Sequence, residues 1–93
     1  MFDHILAVIR ANIRALHYVM TIHAEEEMDN DALSIFDVEQ VILNGTIIER
    51  QKDRNSGEWK YIIQGRPDVG DEVVVVVKIS PTNTVVIITV YAL

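Results

Sequence analysis

Seven side chains in this 93-residue chain have the chemistry to act on a substrate. His23 is the best proton carrier, because an unperturbed imidazole changes charge near neutral pH. It follows Thr21 at the start of a helical stretch, where backbone N–H groups can also hold an anion. Lys60 and Lys78 each interrupt an otherwise apolar strand, which marks a lysine as edge protection or as function. Tyr91 and Tyr61 offer hydroxyls, or faces on which a base can stack. Arg50 and Arg66 supply fixed positive charge that suits a phosphate. Together these are the parts of an acid–base site for an anionic substrate, with His23, Lys60, Lys78 and Tyr91 as the catalytic set. Arg50, Tyr61 and Arg66 would bind substrate.

Each also has a plain structural reading. His23 can be a helix-start residue bonded to local backbone. Lys60 can pair with Glu58 or a cross-strand acid. Tyr91 fits a core edge, and Trp59 fits a core or interface anchor. A metal site would need more ligands than the chain offers. His23 with Glu26 or Glu27 has helical half-site spacing, but His4 and His17 do not complete a set. No metal and no cofactor are expected. There is no phosphate-cradling glycine loop and no nucleophile elbow.

The elements that must position these residues follow from periodicity. Phe2, Ile5, Leu6, Ile9, Ile13 and Leu16 recur at spacings of three and four, which predicts a helix over 2–16. Residues 17–22 are rich in strand formers and read as a short extended piece. An acidic helix follows over 23–31, with Glu25, Glu26 and Glu27 near its positive end. Ser34 and Asp37 have capping-box spacing and open a third helix over 35–44. Asn44-Gly45 ends it, the glycine being read as a left-handed helix stop.

After Gly45 the period becomes that of strands, near 46–52, 58–64, 72–80 and 84–92. Short turn-forming connections make successive strands antiparallel. The fold expected is α+β, with N-terminal helices on one face of a four-stranded antiparallel sheet over 46–92. Val73–Val77 cannot alternate, so that strand should be central and covered on both faces. The last strand is apolar on both faces too, and the helices cover only one. The other face should meet a helix, a partner or a substrate.

The last hairpin decides whether Lys78 and Tyr91 can share a site. Pairing Ser80 with Thr84 puts Lys78 opposite Val86, away from the Tyr91 face. Pairing Ile79 with Thr84 puts Lys78 opposite Val85, on the face of Thr89 and Tyr91.

Composition limits the function classes. A chain of this length makes one domain, and 49% hydrophobic residues argue against disorder. The absence of cysteine removes disulfides and cysteine nucleophiles and fits a cytoplasmic protein. Asp3 and the interrupting Arg10 and Arg14 argue against a signal peptide or a membrane span. Residues 1–43 hold two basic and eight acidic residues, which is the whole net charge of −6; residues 44–93 are neutral. That excludes a broad basic footprint for nucleic acid but leaves room for a local cationic site.

Several short runs resemble, in order, a bacterial family known as domain of unknown function 4258. They are Thr21-Ile22-His23-Ala24, Glu27-Met28, Asp37-Val38-Glu39, Ile42-Leu43-Asn44-Gly45 and Ile48-Glu49-Arg50. Then come Gly57-Glu58-Trp59-Lys60-Tyr61, Val77-Lys78 and Ile88-Thr89-Val90-Tyr91. The resemblance spans about residues 18–92 and implies a fold similar to the RelE and MqsR ribonuclease toxins. It implies a toxin that cuts mRNA through the ribose 2′-OH, without metal. The implied partner is a cognate antitoxin, of zinc-finger (MqsA or YgiT) or helix-turn-helix type. One departure is Glu27, where many members carry arginine. The other reading is an inactive toxin-fold module that binds a partner protein or a second copy of itself. A metal- or small-molecule-binding sensor is a third. Convergence of three of His23, Lys60, Lys78 and Tyr91 in one cleft favours the enzyme; scatter favours the module.

Overall fold

The computed structural model describes residues Met1–Leu93. Its elements run α1 (Asp3–Arg14), β1 (Tyr18–Met20), α2 (Ile22–Asn30), α3 (Ile35–Asn44), β2 (Thr46–Lys52), β3 (Trp59–Gly65), β4 (Val73–Ile79) and β5 (Val85–Ala92). The strands form one sheet in the order β1-β5-β4-β3-β2.

This corrects the expected four-stranded antiparallel sheet. The extended piece around Val19 is a fifth strand, and it pairs with β5 in parallel, Val19 opposite Val86. Hairpin logic links only neighbours in sequence. A parallel pair is joined by a long crossover, so its partner is not marked by any local turn.

Local chemistry explains the helix ends. Ser34 Oγ accepts the Asp37 N–H at 3.2 Å, and Asp37 Oδ2 accepts the Ser34 N–H at 2.8 Å, which completes the capping box. Thr21 Oγ1 accepts the Ala24 N–H at 3.1 Å and caps α2. At the far end of α3, Arg10 reaches across from α1. Its Nε donates to the Ile42 carbonyl at 3.1 Å and its Nη2 to the Gly45 carbonyl at 2.6 Å.

Gly45 itself corrects the expected left-handed stop. Its φ is −84°, which any residue adopts. Glycine is needed there for space: a Cβ would run into the Val41 carbonyl and sit 2.6 Å from the Gln64 carbonyl. Gly65 meets it from β3, so the end of α3 lies directly on strand backbone.

The core lies on one face of the sheet. Val73, Val75 and Val77 of β4, Ile63 of β3, and Val85, Ile87 and Val90 of β5 pack with Ile9, Ile13, Val38, Val41 and Ile42 from α1 and α3. Ala24 and Met28 of α2 join the same cluster. The other face of the sheet adds no residue to it. Central β4 is therefore covered unevenly: Val74 is 2% exposed, while Val76 and its neighbours Ile62, Val86 and Ile88 are only half-buried. No helix is long and apolar enough to cross a membrane.

Candidate functional site

The uncovered face holds a cleft of about 240 Å³. Its floor is Val86 and Ile88 of β5, and its walls include Lys60 of β3, Lys78 of β4 and Thr21. The connection between β2 and β3 folds over one side and adds Asp53, Ser56 and Glu58.

Strand register brings the two lysines together. Tyr61 lies opposite Val77 and Ile62 opposite Val76. Continuing that register one step sets Lys60 opposite Lys78. Like charges directly opposed across a sheet are unfavourable unless something compensates. Glu58 compensates in part: Lys78 Nζ donates to its Oε1 at 3.3 Å. This is the pairing expected of Lys60, given instead to Lys78. Lys60 has no carboxylate within ion-pair distance. Its ammonium is the cation in the cleft left without a counterion.

Asp53 orders the loop. Its Oδ1 accepts N–H bonds from Asn55 at 2.8 Å and Ser56 at 3.2 Å. These bonds hold its carboxyl below the ordinary aspartate range; burial opposes them, and the charges of Lys60 and Lys78 add to the lowering. Gly57, with φ of +75°, turns the chain back into β3.

The last hairpin has the first of the two expected registers, with a result neither foresaw. Ser80 N–H donates to the Thr84 carbonyl, and Lys78 lies opposite Val86. Beyond that point Val77 pairs with Ile87 but Val76 with Thr89, so Ile88 is an extra, bulged residue. The bulge reverses the alternation of β5. Tyr91 then falls opposite Val74, on the same face as Lys78. Four residues of β4 separate the two positions, roughly 13 Å along the strand. Tyr91 therefore shares the face without lining the cleft.

The other expected site residues stand elsewhere. His23 is 67% exposed at the side chain, with Nε2 3.2 Å from Glu27 Oε1. It lies two residues from Thr21 but does not line the cleft. Tyr61 points to the helix side, where its ring meets Phe2 edge-on at 6.4 Å. Arg50 is on that side too, its guanidinium 4.1 Å over the Trp59 ring. Arg66 is exposed in the connection after β3. Of the four expected catalytic residues, the fold brings two together.

Glu58 and Asp53 were not among the expected site residues. Glu58 had a usable signal: two residues before Lys60, it must share that lysine's face if the strand begins there. Asp53 had none, because its loop position depends on how the hairpin curls.

The arrangement can hold a singly charged anion between Lys60 and Lys78, with a carboxylate beside it able to take a proton. No curated protein and no solved structure matches the chain. One family profile does, described as a domain of unknown function and covering residues 20–92. With four-fifths of its length so matched, the chain belongs to the DUF4258 family.

Proposed function

We propose that this chain is the toxin of a bacterial toxin–antitoxin pair, a metal-independent endoribonuclease of the RelE/MqsR kind that cuts mRNA in the Lys60–Lys78 cleft. The observation that carries the reading is the pair of lysines set against each other on an uncovered sheet face, with Glu58 beside them. Glu58 takes the proton from the ribose 2′-OH. The freed oxygen attacks phosphorus, and Lys60 and Lys78 neutralise the extra charge of the pentacoordinate phosphate. The bond to the 5′-oxygen breaks, and that oxygen takes a proton from Lys60. The products are a 2′,3′-cyclic phosphate and a free 5′-hydroxyl. Expression in bacteria is expected to arrest growth and to leave mRNA with cyclic-phosphate ends. A folded protein that does neither removes this reading.

A second reading has its own observation. His23 and Tyr91 lie outside the cleft, so only two of the four expected catalytic residues converge, and the chain carries a net −6. Both fit an inactive toxin-fold module that binds a partner protein. An intact protein that binds RNA without cutting it, or binds none, supports that reading.

A further inference from the structure

The edge strand β1 has its own unused surface, on the side away from the cleft. Val85 N–H donates to the His17 carbonyl at 3.3 Å, and Thr21 N–H donates to the Ile87 carbonyl at 3.0 Å. In a parallel ladder alternate residues turn towards the partner strand. His17, Val19 and Thr21 therefore face β5, and Tyr18 and Met20 turn their N–H and C=O groups outward. No strand pairs with that side. An open edge of this kind is a template for another extended chain.

Beside it lies the largest cavity of the protein, a groove of about 480 Å³. Tyr18, Met20, Met28 and Ile35 give it an apolar lining, and Glu25 and Asp29 give it charge, all of it negative. The surroundings extend both characters. Phe36, next to Ile35 on α3, is 72% exposed, and the first 43 residues carry the chain's entire excess of acid. The Tyr18 hydroxyl donates to Glu39 at 2.8 Å, which ties the strand to α3 and fixes the groove wall.

We infer that β1 receives an extended segment of a partner protein, one whose groove-facing positions, every second residue, carry both apolar side chains and lysine or arginine. The segment adds a sixth strand by bonding the outward groups of Tyr18 and Met20. Its apolar side chains enter the groove against Met20, Met28 and Ile35, and its cations meet Glu25 and Asp29. Main-chain bonds supply affinity and the groove supplies selection, as in other strand-addition complexes. The occupant is assigned by charge complementarity: the groove contains two carboxylates and no cation. Whether the cleft cuts RNA does not bear on this edge.

The test uses the full chain and three short labelled peptides. One carries valine and lysine in turn at every second position with serine between them, one has glutamate in place of lysine, and one is the lysine peptide with alternate backbone nitrogens methylated. The lysine peptide is expected to bind and to protect the amides of Tyr18 and Met20 from hydrogen exchange. The double variant Glu25→Lys, Asp29→Lys should weaken it by about tenfold or more. Both positions are exposed on α2, so the fold should persist. Equal binding of the glutamate peptide, undiminished binding of the methylated peptide, or unprotected Tyr18 and Met20 amides would overturn the proposal. So would a dimer that protects these amides without peptide, because a second copy would then occupy the edge.

Discussion

Glu27 Oε1 accepts the backbone N–H of Val90 at 3.1 Å, in the stretch of β5 that β1 is too short to pair. One turn later Asp31 Oδ2 accepts the Ala92 N–H at 2.9 Å. The spacing is not accidental. Four helical residues rise about 6 Å, and two strand residues span about 6.6 Å. Acids at i and i+4, on α2 and at its C-cap, therefore meet successive outward amides of β5, which recur at every second residue. Two members of the acidic run thus close the edge of the sheet. An arginine at position 27 would have no acceptor to offer Val90.

Replacing Glu27 by alanine should orphan that amide and cost about 1–3 kcal/mol. Urea unfolding measures the loss, and the Val90 amide should exchange faster while Val85 amide exchange changes less. Glu27→Gln keeps an acceptor and should recover part of the stability. Unchanged stability in the alanine variant would mean that the bond contributes nothing.

Arg10 links α1 to the end of α3 by two charge-assisted bonds to carbonyls. Arg10→Ala should destabilise by about 1.5–3 kcal/mol. Arg10→Lys should recover only part of this, because a point ammonium cannot span both acceptors as a guanidinium does. Thermal unfolding of the three proteins ranks them.

Gly45→Ala should destabilise by about 1–3 kcal/mol through steric conflict with Val41 and Gln64 carbonyls, not through backbone strain. Gly57→Ala is the contrast: there the space is open and φ is positive, so strain alone acts. The first should disturb α3 and β3 resonances, and the second only the β2–β3 loop.

Burial, the hydrogen bond to Glu39 and that carboxylate's charge, in this order, push the Tyr18 phenol up from 10.0 to about 12. The neutral phenol is thus favoured by the fold. Its contribution to stability is complete below pH 10 and is lost as pH rises through about 12. An ultraviolet titration should show a phenolate step near pH 12 that Tyr18→Phe removes.

These residues also show what a sequence reveals. The Ser34–Asp37 box, the strand period after Gly45 and the central place of Val73–Val77 were all legible, because each rests on neighbours within a few residues. The parallel pairing of β1 with β5 was not, since nothing local names a partner more than sixty positions away. The Ile88 bulge was equally hidden, and it alone moved Tyr91 to the Lys78 face. Lys60 and Lys78 were visible as charges in apolar strands. Their direct opposition needed the β3–β4 register. His23 stands at the start of α2, where the sequence places it, but it faces Glu27 rather than the cleft.

The central claim is that the lysine cleft, not His23, cuts RNA. Single-turnover cleavage of a short single-stranded RNA by the purified chain tests it most directly. Lys60→Ala and Lys78→Ala should each slow cleavage by about 10²–10³-fold, and Glu58→Gln by about 10²–10⁴-fold. His23→Ala should remain within about threefold of the parent, a difference worth less than about 1 kcal/mol. Full activity in both lysine variants, or loss of activity in His23→Ala with its fold intact, would contradict the account.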